Sequence, residues 1–336
     1  MVAARPARTA GAAVAQAVDW RPSAPLSHLR RRAELAITVR AFFTARGVLE
    51  VETPLLAAAT ATDLHLASVR CRLEAPGAPG ALWLQTSPEL HMKRLLAAGS
   101  GAIFQLARAV RGGEAGPLHN PELTLLEWYR PGFDHHALMD EVEELLAATL
   151  GTGRAQRLSY GQLFADHLGV DAHHADSEQL AAVAGRQGLE VAGAPVEDRD
   201  TWLQLLMSGR IEPLLGRGRP TFVYDYPASQ AALARLRAGE PPVAERFEVY
   251  VEGVELANGF HELADAAEQE GRFLADLAER RRRGLPEVPL DRRLLAALEH
   301  GLPDCAGVAL GFDRLAMLAT GASAIEEVLA FPVARA

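Results

Sequence analysis

Between Leu29 and Arg46 the apolar residues Leu35, Val39, Phe42 and Phe43 recur at i, i+4, i+7 and i+8, the stripe that lets one face of a helix pack on a core. Gly47 supplies the helix stop, and Val48–Thr53 then alternates as a strand does before ending at Pro54. A glycine and proline loop around Ala75–Gly80 leads to a second strand-like run, Ala81–Thr86. Ser87, Pro88 and Glu89 open a helix through Leu96, because proline suits a first turn and an acid there suits the helix dipole.

The period then changes. Ile103–Arg111 and Leu123–Arg130 read as two strands of a long hairpin joined by GGEAGPLHNPE. Period two puts Leu123, Leu125, Glu127 and Tyr129 on one face of the second strand and Thr124, Leu126 and Trp128 on the other, so one face carries polar groups. From 137 to 215 alanine and leucine recur at mostly helical spacing. Strand pattern returns at Thr221–Tyr226, Phe247–Val251 and Val254–Ala257, with Glu252–Gly253 as a tight hairpin turn. Near the C-terminus the apolar strand Val308–Leu310 precedes a helix for which Asp313 is placed as N-cap.

Composition narrows the class without naming it. A chain of 336 residues, 49% hydrophobic and 23% charged, can bury one large core or two modest ones. No uncharged apolar run approaches the roughly 20 residues that span a bilayer, so no membrane role is expected. Residues 1–24, alanine-rich and lacking an apolar signal region, are expected to form a disordered extension ahead of one domain over 25–336. Cys71 and Cys305 are too few for a disulfide framework and fit a reducing cytoplasm. A net charge of −9 argues against a large nucleic-acid footprint. The basic run Arg280–Arg283 precedes Gly284 at a helix end, where solvated cations complement the dipole. The histidine pairs His135–His136 and His173–His174 are adjacent, whereas ligands on one helix face stand three or four apart, so no metal role is assigned to them.

Chemistry concentrates in two distant segments, HNPELTLLEWYRP (His119–Pro131) and GVALGFDRLAML (Gly307–Leu318), each with an arginine beside glycine-containing strand: Arg111 just before the first, Arg314 within the second. The chain has neither GxxxxGK[ST] nor a strand-borne GxGxxG, so a nucleoside triphosphate would be held by arginine forks. In VELANGFHEL, Glu255, Asn258 and Glu262 fall where a strand turns into a helix. Carboxylates close to two arginines make electrostatic sense if Mg²⁺ and a polyphosphate lie between them, with Glu255 and Glu262 as the metal ligands. Gly259 and Gly311 would let backbone approach a ligand.

These segments carry a resemblance. Leu29–Glu34 through Thr53–Pro54 resembles motif 1 of the class II aminoacyl-tRNA synthetases, Phe104–Pro131 resembles motif 2, and Ala309–Arg314 (ALGFDR) resembles motif 3. SPELHMKRLL, HNPELTLLEWYRP and VELANGFHEL look like the lysyl branch, over nearly all of Leu29–Ala336. Fewer than about 30 residues precede motif 1, short of the roughly 50 a domain needs, so an anticodon-binding OB domain is not expected. The chain is similar end to end to the elongation factor P–(R)-β-lysine ligases, truncated paralogues of lysyl-tRNA synthetase. Ser87 stands where lysyl synthetases usually have Ala, and Ala309 where they usually have Gly.

The resemblance implies an α+β fold, a six-stranded antiparallel catalytic sheet flanked by helices, in a homodimer formed partly through motif 1. It implies activation of β-lysine by ATP with Mg²⁺ and transfer to a lysine of elongation factor P, with no tRNA. By position, Arg111 and Arg314 would be catalytic. Arg111, Gly112, Gly113, Glu114, Asn120, Glu255, Leu256, Gly311 and Arg314 would line the ATP site, and Ser87, Pro88, Glu89, Tyr129 and Glu262 would hold the β-lysine or lysine. The motif 2 loop departs from the family's Arg, Asn or Asp, Glu: here it reads Arg111–Gly112–Gly113–Glu114, and Pro117–Leu118–His119 lacks the family's further basic residue. Two other uses of the fold stay open: a lysine-binding sensory paralogue that activates its ligand poorly, and a minimal synthetase charging a tRNA.

Overall fold

The computed structural model describes residues 20–74, 80–189 and 198–336. The expected N-terminal extension, apart from Trp20–Ala24, and most of the Ala75–Gly80 loop lie outside the described residues. In chain order the elements are α1 (Leu26–Thr44), β1 (Leu49–Glu50), β2 (Leu56–Ala57), β3 (Arg70–Cys71), β4 (Leu82–Leu84), α2 (Glu89–Ala97), β5 (Ile103–Val110), β6 (Glu122–Pro131), α3 (His135–Leu150), β7 (Gln156–Ser159), α4 (Tyr160–Leu168), α5 (Ser177–Arg186) and α6 (Arg199–Leu206). There follow β8 (Thr221–Pro227), β9 (Leu236–Arg237), β10 (Val243–Val251), β11 (Val254–His261), α7 (Ala266–Arg282), α8 (Arg292–Gly301), β12 (Cys305–Gly311) and α9 (Phe312–Thr320).

Among the described residues nine strands form one sheet in the order β1-β5-β6-β12-β11-β10-β8-β7, with β9 on β10. The six from β5 to β8 along this order are all antiparallel, and short parallel strands, β1 and β7, close the two ends. The α+β reading and the antiparallel sheet of the sequence are thus what the chain builds. The β10–β11 turn falls at Glu252–Gly253, both at positive φ as a two-residue hairpin needs. β7 was not legible among the helices of 137–215, and β11 runs on to His261 rather than ending near Ala257.

The two faces of this sheet differ as the alternation in β6 required. One face buries Leu126, Trp128, Phe247, Val249, Val308 and Leu310 under α1, α3 and α9. There Phe43 stacks on Phe104 at 4.7 Å and meets Trp128 at 5.1 Å, while the Trp128 indole N–H donates to Glu141 at 3.0 Å. Gly259 belongs to this side: a Cβ there would strike the Phe247 ring, so the residue serves core packing, not ligand approach as expected.

The other face carries polar side chains, bordered by α2, α7 and α8 at one end. At the other end, α4–α6 pack beside β8 and β10. Asp313 does not cap α9. Buried, it pairs with Arg32 of α1 at 2.6 Å and accepts from the Thr124 N–H of β6 at 2.8 Å, joining three elements. Arg280 is likewise not solvated: it is 3% exposed and donates to the carbonyls of Asp63 and Pro286, whereas Arg281–Arg283 lie outside and pair with Glu279 and Glu287. Among the described residues no helix is long and apolar enough to cross a membrane.

Candidate active site

The polar face gathers two electrically distinct ends. At the first, Glu127 and Tyr129 of β6, Glu89 and Lys93 of α2, and Glu262 just beyond β11 converge. The α2 spacing puts Glu89 and Lys93 one turn apart, so both reach inward. Lys93 Nζ lies 2.7 Å from Glu89 and 2.6 Å from Glu262, and its side chain is 2% exposed. Burial opposes the ammonium's charge, but Glu262 and Glu89 outweigh it and raise its pKa. Tyr129 donates its hydroxyl to Glu127 Oε1 at 2.7 Å, and Glu127 Oε2, also buried, has no hydrogen-bond partner. Burial, then the charge of Glu89, pushes the Glu127 carboxyl up to about 8. Burial also pushes Glu262 up to about 7, against the pull of Lys93 and with the push of Glu89.

Gly307 of β12 is what lets this cluster close. It stands in register between Tyr129 and Phe260, and a Cβ on it would collide with the Tyr129 ring and a Glu262 oxygen. Ala309, two residues on along the same face, lies between Glu127 and Asn258. Ser87 Oγ accepts from the Glu89 N–H at 3.3 Å, and Pro88 is the N-cap residue of α2.

The second end is rich in arginine. Arg111 follows β5 directly and donates from Nε to the Thr86 carbonyl, which anchors it one residue from Ser87. Arg314, in the first turn of α9, donates to the Glu255 carbonyl at 2.7 Å and to His119 Nε2 at 2.7 Å. Burial and the Arg314 charge hold His119 below its ordinary pKa, in the neutral form that can accept. Glu255 is raised by loss of hydration and by Glu248, against the pull of Arg314, Arg246 and Arg111. Behind them Arg246 pairs with Glu248 and bonds Asn258 at 3.2 Å, while Glu248 accepts from Tyr226 at 2.7 Å and Tyr250 at 2.5 Å. Glu212, pushed up to about 7 by burial and by Glu248 and Glu255, completes this acidic margin.

The remaining expected residues divide. Gly113, at φ 81, turns the motif 2 loop, and Glu114 reaches to 3.9 Å of Arg111. Gly112 packs against the Ala67 carbonyl, where a Cβ would sit at 3.1 Å, and donates its own N–H to that oxygen. Asn120 is buried and its amide is spent on protein backbone, donating to Glu122 and accepting from Val333, so it fixes the loop against the C-terminal segment. The Leu256 side chain faces the apolar core, leaving its backbone for the site. Gly311 starts α9 against the Arg314 side chain.

Glu255 and Glu262 cannot share an ion. Seven strand residues at about 3.3 Å each set them roughly 23 Å apart, and Glu262 is committed to Lys93. The oxygen-rich group near Glu255 is Glu248 and Glu212 instead. Sequence reading missed Glu127, Lys93, His119, Arg246 and Glu248. The period-two pattern had placed Glu127 beside Tyr129, which was the available signal, whereas nothing in the sequence marked Lys93 as buried.

The sequence pattern of the tRNA synthetases class II (D, K and N) matches residues 13–335. Among curated proteins, the elongation factor P–(R)-β-lysine ligase of Yersinia enterocolitica is 54% identical over 325 residues, 96% of this chain and 100% of that protein. The protein of the same description from Vibrio cholerae is 56% identical over 320 residues, 95% of this chain and 99% of its own length. That from Klebsiella pneumoniae strain 342 is 53% identical over 325 residues, 96% and 100%. The chain therefore belongs to the class II tRNA synthetase family of the D, K and N type, within its group of elongation factor P–(R)-β-lysine ligases.

Proposed function

We propose that this chain is an ATP-dependent ligase that activates (R)-β-lysine and transfers it to the ε-amine of a lysine on elongation factor P, in the cytoplasm. The observation that carries the reading is the buried, unpartnered Glu127 Oε2 among three carboxylates answered by one ammonium, Lys93. With Glu89, Glu127 and Glu262 ionised, the cluster is two charges short of neutral. A diamino acid whose carboxylate is turned away towards phosphate brings two ammonium groups. Charge and hydrogen-bond demand match.

The carboxylate oxygen attacks the α-phosphorus of ATP, pyrophosphate leaves, and an acyl adenylate forms. The neutral ε-amine of the acceptor then attacks the acyl carbon, AMP leaves with the bonding pair, an amide forms and the amine's proton is released. No side chain becomes covalently attached. Arg111, anchored on Thr86 beside Ser87, stands between the two ends and takes the charge that grows on the α-phosphate. Arg314, braced by the Glu255 carbonyl and neutral His119, holds the outer phosphates. Mg²⁺, bound with ATP, would be held by Glu255 with Glu248 and Glu212 at its back, hard oxygen donors that suit it and reduce phosphate repulsion. Exposed Leu26 and Ile37 on α1, with Leu49 on β1, supply an apolar surface for a homodimer.

Amino-acid-dependent ATP–pyrophosphate exchange with (R)-β-lysine, L-lysine or neither tests activation, and intact-mass analysis of elongation factor P tests transfer. The expected result is exchange strongest with β-lysine and one added lysyl mass. Gly112 and Gly113 in the motif 2 loop favour one rival, a sensory paralogue. Binding of β-lysine without exchange would establish that rival.

A further inference from the structure

On the helix-covered face of the sheet, directly behind Glu262, three side chains from three elements meet: His135 at the start of α3, Glu245 on β10 and His261 at the end of β11. Their candidate ligand atoms all lie within 4.8 Å of one another. None of them belongs to the chemistry described above, and adjacent strand residues point to opposite faces, so His261 faces away from the pocket that Glu262 serves.

We propose that His135, Glu245 and His261 bind one borderline-soft divalent ion of the Zn²⁺ class. His135 carries the argument furthest. It is 2% exposed, and neither ring nitrogen has a hydrogen-bond partner. A buried imidazole without partners has lost its water and gained nothing in exchange, a cost that a bound ion removes. Its position is fixed by the helix start, since Asp134 caps α3 by accepting from the Ala137 N–H at 2.8 Å. Burial, with His136 alongside, lowers its pKa and favours the neutral, ligating form.

His261 supplies the second observation. Its Nε2 lies 3.0 Å from Asp304 and its Nδ1 2.6 Å from Glu245 Oε2. A neutral ring has one N–H and can donate to only one of these two carboxylates; in the tautomer that donates Nε2–H to Asp304, the Nδ1 lone pair faces Glu245 and is open to a cation. A metal ion meets that need and leaves Asp304 orienting the ring from behind, the carboxylate–histidine–metal arrangement. The alternative is an Nδ1–H that donates to Glu245.

Two imidazoles and a carboxylate form a zinc-type donor set, whereas Mg²⁺ and Ca²⁺ take oxygen. Ligands about 2.0–2.2 Å from a tetrahedral ion stand roughly 3.4 Å apart, so modest rotamer shifts close the present spacing. A fourth donor is at hand: Asp225 Oδ1, itself buried and unpartnered, lies 3.9 Å from His135 Nε2, while its Oδ2 pairs with Arg237. An ion here would pin α3 to the strand that presents Glu262.

The test uses full-length, tag-free protein, stripped with a chelator and titrated with Co²⁺ and with Zn²⁺ in excess Mg²⁺, which competes for sites built of oxygen donors alone. Metal content after desalting gives the stoichiometry, and the Co²⁺ visible spectrum gives the geometry. The expected result is one retained equivalent with a tetrahedral-type spectrum, and affinity at least about 100-fold weaker in His135→Leu and in Glu245→Gln. Circular dichroism checks that each variant folds. If His135→Leu does not fold, Glu245→Gln, a change at a half-buried side chain, decides alone. No retained ion in the unmutated protein, or full affinity in a folded variant, overturns the proposal and leaves His261 hydrogen-bonded to its carboxylate neighbours through its own N–H.

Discussion

A carboxylate buried beside two others keeps its charge only when a cation answers it, and within this protein Lys93 answers Glu262 and Glu89. Glu262→Gln removes one charged acceptor from the proposed amino-acid end and nothing from the arginine end. A hydrogen bond to a charged group contributes about 1.5–3 kcal/mol. The KM for β-lysine should therefore rise about 10- to 100-fold while that for ATP changes less than about twofold, measured by pyrophosphate exchange. Equal increases would remove Glu262 from the substrate pocket. Gly307→Ala tests the same cluster by volume. Its methyl meets the Tyr129 ring and Glu262, so β-lysine kcat/KM should fall at least about tenfold with the melting temperature less affected, whereas unchanged kinetics would show that Tyr129 need not lie where it does. At this scale the sequence was half legible. Tyr129, Glu89 and Glu262 could be matched to motifs, and alternation put Glu127 on their face. Alternation gives a side, not a depth, so it could not show that Lys93 is 2% exposed, nor that Asn120 spends its amide on backbone.

Elements were easiest to read where a period ran long. The hairpin β5–β6, the stripe of α1 and the Glu252–Gly253 turn follow from alternation, helical spacing and positive φ. β7 failed that test because four half-buried residues pair in parallel with β8 from far away in sequence. The His135–His261 approach is invisible for the same reason: each histidine's neighbours in sequence say nothing of which strand its helix will cross. Asp313 shows how an element-level assignment goes wrong when local and tertiary partners compete. Near the first turn of a helix, an acid is read as a cap, yet Arg32 and the Thr124 N–H claim it. Asp313→Ala should consequently cost far more than a lost cap. It strands a largely buried guanidinium and an N–H, and breaking such a pair costs about 3–5 kcal/mol, against about 1 kcal/mol for a cap. Urea denaturation should show the midpoint falling with an unchanged slope; a loss near 1 kcal/mol would mean that Arg32 finds water at no cost.

For the molecule as a whole, the cluster makes folding depend on pH and, on the proposed function, substrate binding with it. Glu127 and Glu262 move from an ordinary 4.5 in the unfolded chain to about 8 and about 7 when folded, chiefly through burial. The folded state thus holds more protons between those limits, and stability must fall as pH rises through that window. The stabilising protonation is fully present below about pH 4.5 and gone above about pH 8. Glu127→Gln deletes the larger shift, so its melting temperature should decline less than that of the unmutated protein between pH 5 and pH 8.5. As the proposed substrate, β-lysine would act on the same equilibrium from the other side. Its ammonium groups favour the ionised carboxylates, so binding near pH 7 must expel protons from the pocket, and saturating ligand should flatten the decline. Calorimetry in buffers of different ionisation enthalpy would register that release, with Glu127→Gln releasing less. Proton uptake, or a release that Glu127→Gln leaves unaltered, would mean that the substrate ammonium groups do not reach Glu127.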